Sequence, residues 1–150
     1  MKNIFLPAVT SEVIERINKL TPSSPQLWGK MNVSQMLAHC NVSYELVYDG
    51  KHPKPNIFMK LVMKAFVKNI VVSEKPYKRN SQTAPSFVIT DEKQFAIEKQ
   101  RLIDYLNKTL ELGEKHFDGK ESHSFGKLTK TEWNNMFYKH LDHHLSQFGA

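Results

Sequence analysis

The feature that most constrains this fold is segment 129–148, which has the periodicity of an amphipathic helix. At ~100° per residue, its apolar side chains fall on one side of a helical wheel. His140 and His144 lie inside that apolar stripe, about 20° on either side of the direction of Trp133. Such a stripe is the buried side of a helix, so the sequence aims two imidazole rings into a core. The apolar residues of the stripe are Trp133, Met136, Phe137, Leu141, Leu145 and Phe148.

The rest of the chain also favours helices over strands. Capping residues, glycines and prolines set the expected boundaries. No stretch alternates long enough to predict a sheet. We therefore expect an all-α protein, with an additional short helix in the connection between the main helices. The predicted helices run from Thr10 to Leu20, from Asn32 (with Gln35 in a capping box) to Tyr48, from Asn56 to Val72, from Thr90 to Gly113, and from Thr129 (with Glu132 in a second box) to Phe148.

The composition is typical of one compact domain. With 150 residues and 40% hydrophobic content, the chain is long enough for one core and too short for two domains, so residues 1–150 are predicted to form a single domain. The single cysteine excludes an intrachain disulfide framework, and the N-terminus lacks the pattern of a signal peptide. We therefore expect a cytoplasmic protein without a membrane span.

The paired histidines of the last helix indicate a metal site. Residues at i and i+4 share one helix face, so His140 and His144 can both reach one ion at the ~2.0–2.1 Å of a zinc–imidazole bond. A third ligand should come from another helix, and His39 is the candidate, at the border of its apolar stripe near Ser43. The alternative is that each histidine is a core residue satisfied by a hydrogen bond. The motif alone is a moderate signal, because it lacks the adjacent glutamate of zinc-protease helices.

The other candidate side chains give weaker signals. His52, His116 and His123 lie in segments rich in turn-forming residues, which favours surface loops. Cys40 follows His39 and suggests a nucleophilic thiol, but adjacent helix residues point about 100° apart. A buried, inert cysteine is the preferred interpretation.

Two sequence stretches together resemble a known family. The first is Met-Asn-Val-Ser-Gln-Met-Leu-Ala-His, residues 31–39, preceded by Trp28-Gly29-Lys30. The second is His-Leu-Asp-His-His-Leu-Ser-Gln, residues 140–147, preceded by the segment 128–133. With these two motifs, the sequence resembles the DinB/YfiT-like superfamily. The resemblance covers nearly the whole chain.

This resemblance implies a four-helix bundle, frequently dimeric, that binds a divalent metal such as zinc or nickel. The motif positions that match the superfamily's ligands are His39, His140 and His144, with His143 as their neighbour. Some members transfer small thiols onto electrophiles. The resemblance therefore implies a homodimer with a small-molecule substrate, such as a low-molecular-weight thiol, and transferase-like or hydrolase-like chemistry. Residues that we expect near enough to hydrogen-bond a substrate are Asn41, Tyr44 and Gln147.

Two alternatives remain open at this point. One is a non-catalytic, dimeric metal-binding or stress-related bundle. The other starts from the net charge of +6 and from Lys60, Lys64 and Lys68, which could bind nucleic acid or anionic lipid. The chain has no nucleic-acid motif, so we prefer a solvated lysine stripe opposite a buried apolar face, and expect no nucleic-acid partner. A smaller basic cluster, Lys75, Lys78 and Arg79, could attract an anionic substrate.

Overall fold

The structure is a computed structural model that describes residues 1–150. It confirms the all-α class, because six helices are joined by loops, one short 3₁₀ turn and one minimal hairpin. No helix is long and apolar enough to cross a membrane. The elements are α1 (Pro7–Asn18), α2 (Val33–Tyr48), α3 (Ile57–Phe66), α4 (Lys68–Val72), the 3₁₀ turn (Pro85–Phe87), α5 (Phe95–Phe117), β1 (Glu121–Ser122), β2 (Gly126–Lys127) and α6 (Lys130–Gln147).

Four helices, α1, α2, α5 and α6, pack around one apolar core. Aromatic side chains fill its centre: Tyr44 of α2 lies flat between Tyr105 of α5 and Phe137 of α6, with ring centroids 5.5 and 5.0 Å apart. Phe137 also contacts Trp133 and Phe117, so the apolar stripe predicted for the last helix is the buried one. Stacked aromatic pairs contribute beyond the area that they bury. The core thereby fixes the rotation of α6 about its own axis.

Both predicted capping boxes are present. The Asn32 side chain accepts from the Gln35 backbone N–H, and the Gln35 side chain accepts from the Asn32 N–H. Thr129 and Glu132 make the same reciprocal pair at the start of α6. These caps satisfy backbone N–H groups that a helix cannot pair internally. The two helices that carry the candidate ligands therefore begin where the sequence indicates.

Two predicted helix starts are wrong. The first helix begins at Pro7 rather than Thr10, because proline suits the first turn, and the buried Thr10 hydroxyl instead donates to the Ile4 carbonyl at 2.5 Å. The fourth predicted helix begins at Phe95 rather than Thr90. Residues 88–94 are tied to α2 instead, since Gln35 Nε2 donates to the Asp91 carbonyl at 3.5 Å. Neither threonine has a glutamate or glutamine three residues later, so neither can form a capping box.

Segment 56–72 differs from its prediction in orientation. It begins at the Asn56 cap as expected but breaks at Val67 into α3 and α4. The lysine face is not a free solvated stripe, since Lys60 pairs with Glu121 at 2.6 Å and Lys68 with Glu132 at 2.7 Å. Much of the apolar face, which we expected to be buried, is exposed instead. Lys60 of α3 therefore faces the hairpin and Lys68 of α4 faces α6.

The end of α5 and the hairpin complete the fold. Gly113 interrupts the helical backbone with φ of +68°, as its predicted role at the helix end requires, and a further turn continues to Phe117. The hairpin pairs Glu121 with Lys127 and is only two residues long on each side. It is too short to leave a periodic signal in the sequence.

Candidate metal centre

Three histidines from two helices meet at one point of the molecule. His39 comes from α2, and His140 and His144 come from successive turns of α6. One nitrogen of each ring lies within 4.8 Å of the corresponding nitrogens of the other two. His39 Nε2 and His140 Nε2 are 2.9 Å apart. The structure therefore brings together the three residues that the sequence singles out.

Each ring is oriented by a hydrogen bond at its Nδ1 atom. His39 Nδ1 donates to the Phe87 carbonyl at 2.8 Å, and His144 Nδ1 donates to Gln147 Oε1 at 2.9 Å. His140 Nδ1 pairs with Ser43 Oγ at 2.9 Å. Metal-binding histidines commonly use one nitrogen in this way, which fixes the tautomer and leaves the other nitrogen free. Here Nε2 of every ring is the atom left to bind an ion.

The Ser43 hydroxyl suits two protonation patterns of His140. With Nδ1 of His39 protonated, its Nε2 must accept, so His140 Nε2 donates to it and Ser43 donates to His140 Nδ1. A hydroxyl also accepts, so Ser43 Oγ can accept a hydrogen bond from His140 Nδ1–H when Nε2 binds an ion. Two nitrogens on one tetrahedral zinc lie about 3.3 Å apart, given bonds of ~2.0–2.1 Å. The 2.9 Å spacing of His39 and His140 is slightly shorter than this value and the 4.8 Å limit of the whole cluster is longer, so holding one ion requires the rings to shift.

Burial keeps the three imidazoles neutral. It lowers the pKa of His39, and it lowers the pKa of His144 to about 3. The pKa of His140 is lowered well below its ordinary value by burial and by the neighbouring His144 and His39. Neutral imidazole is the form that binds metals. The environment of the cluster therefore favours neutral rings, which is the protonation state that a metal ion requires of its imidazole ligands.

Aromatic residues from two loops cover the cluster. The Phe87 ring meets His140 edge to face at a centroid distance of 5.8 Å, and Tyr77 meets it at 6.5 Å. Trp28 and Tyr77 contact His143 at 5.8 and 5.6 Å. His143 is therefore not part of the cluster of three and lies beside it, in a wall that it forms with Trp28 and Tyr77.

Arg79 places a positive charge at this wall. The Arg79 guanidinium lies 4.1 Å from the centre of the Trp28 ring, a distance typical of a cation–π contact. Arg79 makes no ion pair within the chain. Its charge is therefore available to a molecule that approaches the wall.

The loop that carries Trp28 is pinned to the end of α6. The Leu27 N–H donates to the Gln147 carbonyl at 2.8 Å, and Gln147 Nε2 donates to the Trp28 carbonyl at 2.7 Å. Gly29 has φ of +84°, and a Cβ atom there would overlap the Gln147 amide. Because the same amide holds His144, the loop and the candidate ligand share one side chain.

Of the three residues that we expected near a substrate, only Gln147 lies at the cluster, where it orients His144. Asn41 is buried and donates to the Glu98 carbonyl and carboxylate at 3.0 and 2.8 Å, so it is occupied by α5. Tyr44 is enclosed in the aromatic stack of the core. Neither Asn41 nor Tyr44 contacts the histidines, because each is turned toward α5.

The remaining reactive side chains lie outside the cluster. Cys40 is buried as expected, contacts Met36 at 3.8 Å, and has its thiol pKa raised by burial. His52 pairs with Glu45 at 2.8 Å. His123 lies in the hairpin turn, whereas His116 is exposed but belongs to α5, so its predicted loop position is wrong. The turn after Gly113 explains this difference, because the chain resumes a helical course for one turn.

Sequence reasoning missed most of the groups around the rings. Ser43 left a signal, since it lies four residues after His39 on the same helix face. Phe87 acts through its backbone carbonyl, which no side-chain pattern encodes. Tyr77 reaches His140, and Trp28 reaches the adjacent His143, only through the path of their loops. Loop placement is set by tertiary contacts, so a periodicity argument cannot find these residues.

The cluster contains no fourth protein ligand, since no carboxylate or thiolate joins the three histidines. Structural zinc sites are closed by four protein ligands, whereas catalytic sites use three and keep one position open. Fold and site together define an all-α protein whose three-histidine cluster could bind a metal ion. The chain belongs to the family described as Protein of unknown function (DUF1569), whose match spans residues 8–150. No curated protein and no solved structure matches it.

Proposed function

We propose that this protein is a metal-dependent enzyme of the DinB/YfiT-like type. It uses one divalent ion, zinc or nickel, held by His39, His140 and His144. Its chemistry is the transfer of a small thiol to an electrophile, or metal-assisted hydrolysis. A bound divalent ion lowers the pKa of a thiol or water and supplies a nucleophile near neutral pH.

One observation supports this proposal above the others. All three Nδ1 atoms are engaged by partners outside the cluster, which leaves three Nε2 atoms for one centre. Core histidines that served packing alone would have no need for a common centre. The absence of a fourth protein ligand favours a site that exchanges a small molecule over a closed structural site.

The surrounding residues have distinct tasks in this scheme. Ser43, Gln147 and the Phe87 carbonyl orient the rings. Trp28 and Tyr77 limit the access of water, which strengthens electrostatic interactions within the site. Arg79 supplies an unpaired positive charge on the wall, so a thiol that carries a carboxylate is the preferred substrate class.

The first experiment is elemental analysis of untagged protein beside His39→Ala, His140→Ala and His144→Ala. We expect about one ion per chain in the parent and a large loss in each variant. His116→Ala is the matched control, because His116 is exposed and its hydrogen-bond partner is Lys120 rather than a residue of the cluster. Circular dichroism must show that helicity is retained. A parent that is isolated without metal and takes up neither zinc nor nickel would refute the proposal.

A second experiment separates an enzyme from a non-catalytic metal-binding protein. Cobalt replaces zinc in such sites and reports ligand exchange through its visible spectrum. We expect a thiol that carries a carboxylate to change that spectrum in the parent. The change should be weaker in Arg79→Ala. A spectrum that no thiol alters, together with no thiol transfer to a model electrophile, would favour the non-catalytic alternative.

A further inference from the structure

Helices α3 and α4 present a large apolar surface that no part of the chain covers. We call five exposed apolar side chains of these helices the apolar patch: Ile57, Phe58 and Leu61 fall within about 100° of one another on one face of α3, and Phe66 and Ile70 lie further round α3 and on α4. Its members and their exposed fractions are Ile57 (82%), Phe58 (71%), Leu61 (62%), Phe66 (73%) and Ile70 (60%).

The patch is held outward by polar contacts on its other side. Lys60 and Lys68 pair with Glu121 and Glu132, which ties α3 to the hairpin and α4 to α6. The buried Lys139 ammonium donates to the carbonyls of Ile70, at 2.8 Å, and Ser73, at the end of α4. A cation at a helix C-terminus stabilises that end. These polar contacts therefore hold the patch outward in the folded protein.

The segment that carries the patch is basic, and the two nearby carboxylates, Glu121 and Glu132, are already paired with Lys60 and Lys68. Segment 50–73 contains five lysines and no acidic residue. Lys54 and Lys64 make no ion pair. Beside the hairpin, a cleft of about 230 Å³ is lined by two apolar and two basic side chains together with a glycine: Ile57, Leu61, Lys60, Lys64 and Gly126. Apolar and cationic groups thus alternate on one surface.

From these contacts we propose that α3 and α4 dock the protein onto an anionic phospholipid surface. Ile57, Phe58 and Leu61 enter the boundary between headgroups and acyl chains, while Lys54 and Lys64 bind lipid phosphates. A second copy of the chain fits this patch less well, because a two-fold interface would bring the unpaired Lys54 and Lys64 of both copies close together. An acidic surface meets both the charge and the apolar area.

The test is co-sedimentation of the full chain with phosphatidylcholine vesicles that contain about one-third phosphatidylglycerol, and with vesicles of phosphatidylcholine alone. We expect binding to the anionic vesicles only, with a loss of about tenfold or more in the double variant Ile57→Ser/Leu61→Ser. Lys64→Gln should weaken binding, and added salt should weaken it further. Ile97→Ser and Lys19→Gln are matched controls, since Ile97 is exposed on α5 and Lys19 is exposed just after α1.

Three outcomes would overturn the proposal. The parent fails to bind anionic vesicles, or the control variants lose as much binding as the patch variant. The third outcome is that the parent is a dimer in ultracentrifugation and that Ile57→Ser/Leu61→Ser is a monomer. That result would assign the patch to a second copy of the chain. His140→Ala should bind vesicles like the parent, so this test does not depend on the metal site. Unchanged circular dichroism of the double variant excludes unfolding, because neither replaced side chain lies in the core.

Discussion

At the residue scale, single hydrogen bonds decide whether three imidazoles can act together. A histidine ring that rotates freely presents either nitrogen, and the chance that three such rings converge is small. Ser43, Gln147 and the Phe87 carbonyl remove that freedom at His140, His144 and His39, one partner for each ring. The partners come from α2, from α6 and from the 3₁₀ turn. Preorganisation of the candidate site is therefore distributed over three elements.

Replacing Ser43 with alanine should weaken metal binding without unfolding the protein. The variant loses the only hydrogen-bond partner of His140 Nδ1, and partners of this kind typically contribute about 10- to 100-fold to metal affinity. Competition with a chromogenic chelator measures the loss. Ser11→Ala, at an exposed position of α1, is the control and should bind like the parent. An affinity unchanged in Ser43→Ala would mean that His140 needs no outer partner.

At the element scale, the capping boxes show what a local signal can define. Asn32 and Thr129 start α2 and α6 as the sequence predicts, because a cap and its partner lie only three residues apart. Thr10 and Thr90 carry similar cap chemistry and do not start helices. Val13 and Lys93 stand where a reciprocal partner would be, so a lone cap residue is a weaker predictor than a reciprocal pair.

The connection between α1 and α2 offers a second prediction. Gly29→Ala adds a Cβ atom at φ of +84°, where it would collide with the Gln147 amide and displace it from His144. We expect weaker metal binding and greater exposure of Trp28, visible as a change in tryptophan fluorescence. Gly50→Ala is the control for backbone strain alone, because it also has positive φ but a Cβ atom there meets nothing. Equal metal affinity in both variants would contradict the proposed coupling.

At the scale of the whole molecule, a charged network joins α2 to α5. Arg101 of α5 bridges Glu45 and Glu98, and Glu98 also accepts from Asn41 at 2.8 Å. Burial raises the pKa of Glu45, but its hydrogen bonds to Arg101 and His52 outweigh this effect and leave the pKa lowered. Because Glu45 is charged more readily in the folded state, the network stabilises the fold above the ordinary pKa of 4.5 and loses that contribution as the pH falls below it.

Arg101→Met should therefore destabilise the protein by about 1–2 kcal/mol at neutral pH, which is between the values for exposed and buried ion pairs. The difference in free energy of unfolding between variant and parent should shrink on acidification through the lowered pKa of Glu45. Urea denaturation at several pH values measures it. Lys2→Met removes an ion pair whose side chains are 51% and 42% exposed, and should leave stability nearly unchanged. A difference that stays constant with pH would assign the effect of Arg101 to packing.

The sequence by itself determined the helical class, the two capping boxes and the shared face of His140 and His144. These are local properties, since a period of 3.6 residues fixes the angle between positions i and i+4 whatever surrounds the helix. Only the tertiary structure decided that His39 meets them, which atoms hold the rings, and that α3 turns its apolar side outward. Those outcomes depend on contacts between residues distant in the chain, such as Ser43 with His140 and Lys60 with Glu121. A local period fixes no such contact, because it does not specify which helix packs against which.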